Sequence, residues 1–112
     1  MNLTRLRKRS PEMKSIMQNE KECYLCRKYF DISNERGLHK HHVFEGYGRR
    51  RQSEAMGAWI WLCAKHHNMS DYGIHFNKDV DMEVKRECQR RYEKTHTREE
   101  FMELIGRNYL DE

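Results

Sequence analysis

The chain reads as a small α+β domain held by zinc, and three observations carry that expectation. Four metal-ligating residues fall into two spaced pairs, Cys23-Tyr24-Leu25-Cys26 and Cys63-Ala64-Lys65-His66. Two strand-like stretches, Leu38 to Phe44 and Ala58 to Leu62, lie between these pairs, and two helical patterns follow them. The chain has 112 residues, of which 37% are hydrophobic and 36% charged. An average soluble domain has roughly 45–50% apolar and about 25% charged residues on a similar count. Apolar burial alone is therefore a thin basis for a domain this small, and a metal constraint fits the composition.

Residues 1–9 read as a basic tail and 10–112 as a single domain, with its zinc-bearing core over 21–76 and helical support over 77–112. Ser10-Pro11-Glu12 reads as a helix start, with Ser as N-cap, Pro at the first helical position and an acid in the first turn. Met13, Ile16 and Met17 then supply the apolar stripe of a short N-terminal helix. Residues 23–30 hold the first metal pair, and Ser33 to Gly37 form a turn. Leu38 to Phe44 is the first strand. Residues 45–52 read as a loop with two glycines and the consecutive arginines Arg49, Arg50 and Arg51. Ala58 to Leu62 is the second strand, and a helix is expected to start near Cys63 and stop before Gly73.

Beyond that point the pattern is helical. Asn77 or Asp79 can cap a helix on which Val80, Val84, Cys88 and Tyr92 recur every four residues. Thr97 to Glu100 is a capping box, and Phe101, Leu104 and Ile105 form the next apolar face. Gly106 ends this second helix, and Tyr109 and Leu110 pack back. Both helices read as support, with Cys88 a small apolar core residue.

The charge is unevenly spread. Residues 1–52 carry 13 Lys and Arg against 6 Asp and Glu, whereas residues 53–112 carry 9 against 12, giving the overall +4. A basic half joined to an acidic half suggests a surface for a polyanion. No apolar run approaches the ~20 residues of a membrane span, so no membrane partner is expected. Arg5, Arg7, Lys8 and Arg9 precede no apolar stretch of the secretory kind. Cysteines in such a chain read as metal ligands rather than disulfides. Thiolate and imidazole suit tetrahedral zinc, and a closed four-ligand site contributes folding energy. His67 is an alternative to His66 as fourth ligand, because both follow Cys63 by about one helical turn.

Five of the seven histidines fall in two groups: His39, His41 and His42 on the first strand, and His66 and His67 on the helix after the second. With zinc on Cys23, Cys26, Cys63 and His66, the residues His39, His41, His42, His67 and Asn68 remain without a structural role. A hairpin packed on the helix brings His41 or His42 near His67 and Asn68. Neutral imidazoles so grouped can hold a divalent metal, and a spare histidine can act as a base.

The order of these residues resembles the HNH or His-Me finger endonucleases, and more narrowly their small phage and prophage members. The resemblance rests on the Cys pair, His41-His42-Val43, the glycine loop, and Leu62-Cys63-x2-His66-His67-Asn68, and it covers about residues 21–76. It implies a ββα-metal core on a treble-clef zinc scaffold that cuts DNA in the cytoplasm of a bacterial host cell. It implies His42 as the base, oriented by the carbonyl of an adjacent residue. His41 and either His67 or Asn68 are implied as ligands of one catalytic divalent metal (Mg²⁺, Mn²⁺, Ni²⁺ or Zn²⁺); apart from the resemblance, the residues offer His39 as an alternative partner of His41, and His75 as a further ligand or simply a loop residue. Arg49, Arg50 and Arg51 would hold the DNA backbone or offset transition-state charge.

The sequence departs from that pattern in three places. No asparagine stands in the middle position before Leu62-Cys63, where Ser53 and Glu54 are found instead. No proline follows the His-His-Val run. Strand alternation sets His39 and His41 on one face and His42 with Lys40 on the other, so a regular strand would pair His39, not His42, with His41. A zinc-scaffolded nucleic-acid-binding module without catalysis is the alternative function, and a protein-interaction adaptor a third. Trp59 and Trp61 share a strand face, which fits core packing or base stacking. A monomer and a homodimer are both compatible with the sequence.

Overall fold

The computed structural model describes residues 13–46, 48–67 and 73–110. The basic tail and the Ser10-Pro11-Glu12 helix start lie outside the described residues, as does Asn68. Among the described residues the elements run α1 (Tyr24–Phe30), β1 (Leu38–His42), α2 (Arg49–Met56), β2 (Trp59–Cys63) and α3 (Ala64–His67), then a 3-10 turn (Ile74–Phe76), α4 (Lys78–Tyr92) and α5 (Arg98–Ile105). None of these helices is long and apolar enough to cross a membrane.

β1 and β2 form a two-stranded antiparallel sheet in which His39 faces Leu62, His41 faces Ile60, and His42 faces Trp59. Facing residues share a side of the sheet. One side therefore carries His39, His41, Ile60 and Leu62, and the other Lys40, His42, Trp59 and Trp61. Ile60 and Leu62 are fully buried and join Leu25, Val43, Phe44, Val84, Cys88, Phe101 and Ile105 in the core.

The two C-terminal helices follow the local signals. Asn77 caps α4 by accepting from Val80 N, and the helix buries Val84, Cys88 and Tyr92. Thr97 and Glu100 form the reciprocal capping box of α5. Gly106 ends α5 in the left-handed region, at φ 82. Phe101 packs edge-on against Phe44, with ring centroids 5.5 Å apart, and Tyr109 tilts onto the same ring.

Two expectations are corrected. Met13, Ile16 and Met17 do not lie on a helix: residues 13–22 run as an irregular strap. The strap bonds instead to β2 and to Gly57 just before it. Ile16 N donates to Gly57 O, Ser15 Oγ donates to Trp59 O, and Trp59 Nε1 donates to Met13 O. Trp61 N donates to Gln18 Oε1. An edge strand presents unpaired backbone groups, and the strap satisfies them. It also encloses the tryptophans, leaving Trp59 only 9% exposed. Trp59 is thus packed into the domain, whereas Trp61 is only half-buried.

The second correction concerns the arginine segment. Arg49, Arg50 and Arg51 open helix α2 rather than lying in a loop. Gly48, at φ 79, turns the chain into this helix, and Gly57, at φ 76, ends it. Between them stand mostly good helix formers, Arg, Gln, Glu, Ala and Met. Gly57 also sits against the strap, where an added Cβ would collide with the Lys14 carbonyl oxygen. Gly57→Ala is expected to cost at least about 1–3 kcal/mol, the usual penalty of a strained left-handed residue. Thermal denaturation measures this, and an unchanged Tm would contradict the strap's position.

Candidate metal centres and the sheet face opposite them

The first centre is built by three elements. Cys23 is the N-cap of α1, Cys26 lies in its first turn, Cys63 ends β2, and His66 stands on α3. All four are buried. His66 Nδ1 lies 3.5 Å from Cys23 Sγ and 3.4 Å from both Cys26 Sγ and Cys63 Sγ, and the Cys26 and Cys63 sulfurs are 3.9 Å apart. A tetrahedral zinc with ordinary bond lengths requires about 3.6 Å between S and N and about 3.8 Å between sulfurs. The four ligand atoms, all within 4.8 Å of one another, therefore stand at spacings that can hold a metal ion. The fourth ligand is His66, and His67 points elsewhere.

The surroundings suit thiolates. Cys26 N donates to Cys23 Sγ, and Asn34 Nδ2 donates to Cys26 Sγ at 3.7 Å. Such donors orient ligands and stabilise their charge. Burial, the largest cause, together with the neighbouring Cys26 and Cys63 thiols and against backbone hydrogen bonds that oppose it, pushes the Cys23 thiol up to about 12, so that sulfur needs a cation beside it to ionise at neutral pH.

A second cluster lies on the core side of the sheet. His41 from β1, His67 from α3 and His75 from the 3-10 turn each offer a ring nitrogen, all within 4.8 Å of one another. His67 Nε2 and His75 Nε2 are 3.0 Å apart, and His39 Nδ1 lies 3.1 Å from His67 Nδ1. Glu45 Oε2 stands 3.8 Å from both His41 Nε2 and His75 Nδ1.

His41 is the informative member. It is 2% exposed, and its Nε2 has no hydrogen-bond partner among the described residues. Buried polar atoms are almost always paired. Burial, reinforced by His67 and His75, pushes its imidazole down to about 3, so it is neutral at physiological pH. A buried, neutral imidazole with an orphaned nitrogen, aimed at two more imidazoles, is the donor set a borderline divalent cation takes.

His42 is not part of this cluster. Strand alternation holds, and His42 projects on the opposite side with Lys40. There its Nε2 lies 2.8 Å from Glu54 Oε2, which Lys40 Nζ also approaches at 2.7 Å. The Lys40 hydrogen bond leads in holding the Glu54 carboxyl below the usual carboxylate range; partial burial opposes it and His42 adds to it. The partner of His42 is thus a helix-borne carboxylate, where the resemblance implied a neighbouring carbonyl. A cleft of about 780 Å³ joins His42 and Glu54 to Gly48, Arg50, Arg51 and Gln52.

Sequence reasoning therefore named the four residues that could hold a metal at the first centre, and brought His41, His67 and His75 into view. It missed Glu45, whose position at the strand exit gave no spacing signal, and the partnership of Glu54 with His42. Compared with family models, curated proteins and solved structures, the chain matches none.

Proposed function

We propose that the chain is a metal-dependent DNA endonuclease of the HNH type, in which a treble-clef zinc site on Cys23, Cys26, Cys63 and His66 supports a ββα-metal core. The observation that carries this reading is the convergence of His41, His67 and His75 around the orphaned Nε2 of His41. These three residues would hold the catalytic divalent ion. When bound, the ion supplies positive charge against the oxygens of a phosphodiester.

The chain's own residues divide the remaining work. Among the described residues β1 pairs only with β2, and its register sets His41 and His42 on opposite faces of the sheet. Arg50 and Arg51, in the first turn of α2, grip the DNA backbone. His42 acts as general base: it takes a proton from the attacking water as the oxygen closes on phosphorus and the opposite P–O bond breaks. Thiol ligands free of disulfide bonding fit a reducing compartment, here the cytoplasm of a bacterial host.

The test is nicking of supercoiled plasmid with Mg²⁺, Mn²⁺, Ni²⁺ or Zn²⁺ added. His42→Ala is expected to lose about 10²–10⁴-fold in rate, the usual range for a general base. Equal rates in wild type, His42→Ala and His67→Ala would remove the assignment. One observation favours a second reading, a nucleic-acid-binding module without catalysis: His42 lies across the sheet from the imidazole cluster. That reading expects DNA binding that weakens in Arg50→Ala, with no cutting under any metal.

A further inference from the structure

We propose that Glu54 is a positioning residue that holds His42 by Nε2, so that Nδ1 is the nitrogen His42 presents to the attacking water. The proposal rests on the reading of His42 as the base and adds the device that orients it.

Three observations place Glu54 in this role. Its Oε2 lies 2.8 Å from His42 Nε2, a hydrogen-bond distance. A carboxylate can only accept, so the imidazole carries a proton on Nε2, and in the neutral ring the lone pair is then on Nδ1. Next, the helix that bears Glu54 is locked to the strand that bears His42. Ser53, fully buried, donates from Oγ to Phe44 O and accepts from Phe44 N, two residues beyond His42. Val43 N donates to Ala58 O and Ala58 N to Ser53 O, closing the frame on its other side. Finally, Lys40 Nζ bonds the same carboxylate oxygen from β1, at 2.7 Å. The carboxylate is thus fixed from two directions before any substrate arrives.

The chemistry follows from that geometry. When His42 accepts the water proton at Nδ1, both ring nitrogens carry protons and the ring becomes a cation. That charge forms against the Glu54 carboxylate, as in the carboxylate–histidine pairs of hydrolases, where the acid holds the tautomer and steadies the imidazolium without taking the proton. The segment around Ser53 and Glu54, where the HNH pattern has its asparagine, then divides the work between two side chains. Ser53 clamps the backbone and Glu54 aims the base.

The test uses the full, zinc-loaded chain as wild type, Glu54→Ala and Glu54→Asp. Nitrogen-15 NMR of the imidazoles reads the His42 tautomer directly. Wild type is expected to show a protonated Nε2 and a bare Nδ1, Glu54→Ala a mixture of tautomers, and Glu54→Asp a return toward wild type. In plasmid nicking, kcat is expected to fall about tenfold to a hundredfold in Glu54→Ala, with KM unchanged within about twofold and partial recovery in Glu54→Asp. Zinc content and Ni²⁺ binding should match wild type in all three. An unchanged His42 tautomer in Glu54→Ala overturns the proposal, as does a loss of zinc or Ni²⁺ binding in parallel with kcat. A wild type that cuts no DNA defeats the base assignment instead, and the NMR spectra alone then decide whether Glu54 positions His42.

Discussion

Stripping zinc from the chain with a tight chelator is expected to unfold it, and returning zinc to refold it. A structural zinc contributes about 10–16 kcal/mol of apparent binding energy at neutral pH. A domain of this kind has a total stability of only about 5–15 kcal/mol. The ligands also tie three elements to one point: α1 through Cys23 and Cys26, β2 through Cys63, and α3 through His66. Cys23→Ser should therefore behave like the chelated protein, with helix content lost in circular dichroism. Cys88→Ala removes a thiol buried on α4, away from the ligands, and should retain one zinc per chain and its helix content. Acid acts in the chelator's direction, because thiolate and imidazole ligands must be deprotonated to bind. A native-like spectrum after complete removal of zinc would show that the metal is not structural.

The parts of this fold legible in the sequence are those set by local chemistry. A thiol pair needs its spacing whatever surrounds it, so Cys23, Cys26, Cys63 and His66 could be read directly. Thr97 with Glu100, Asn77 and Gly106 satisfy or release backbone groups within a few residues of themselves, and each cap stands where its chemistry put it. Helix α2 was obscured for the converse reason. It buries only Ser53 and Met56 of its eight residues, too few for an apolar period of 3.6 to show. The strap was obscured because Met13, Ile16 and Met17 have helical spacing, yet Met13 O and the Ser15 hydroxyl find their partners more than forty positions away on Trp59, and Ile16 N finds its own on Gly57.

The histidines show the same division. Strand alternation separated His41 from His42, and that physical rule prevailed over the motif's expectation of adjacent residues serving one metal. His75 became a ligand candidate of known position only once the 3-10 turn carried it back over His41. Glu54 could not be joined to His42 while residues 45–52 read as a loop, since the pairing depends on the helical placement of the residue after Ser53.

The imidazole cluster gives the second large effect. His75→Ala removes a half-exposed side chain whose loss should barely disturb packing. It is expected to weaken Ni²⁺ or Mn²⁺ binding by about 10–100-fold, the range seen when the surroundings of a metal site are disrupted, and to slow plasmid nicking with it. Zinc should remain at one per chain, because Cys23, Cys26, Cys63 and His66 are untouched. His41 allows a sharper test. Its Nε2 is buried without a hydrogen-bond partner among the described residues, and such an atom costs about 1–3 kcal/mol while it stays unsatisfied. Replacing it with an apolar side chain of similar size removes that cost together with the ligand. His41→Leu is thus expected to raise the Tm of the zinc-loaded chain while abolishing divalent binding at the second centre and, with it, nicking. Stability and function would then move in opposite directions at one residue, as at sites where a strained group is kept for its chemistry. Titration calorimetry and thermal denaturation of the same sample measure both. A His41→Leu chain that melts earlier, or that still binds Ni²⁺ as wild type does, would show that His41 is a packed core residue rather than a ligand held in reserve.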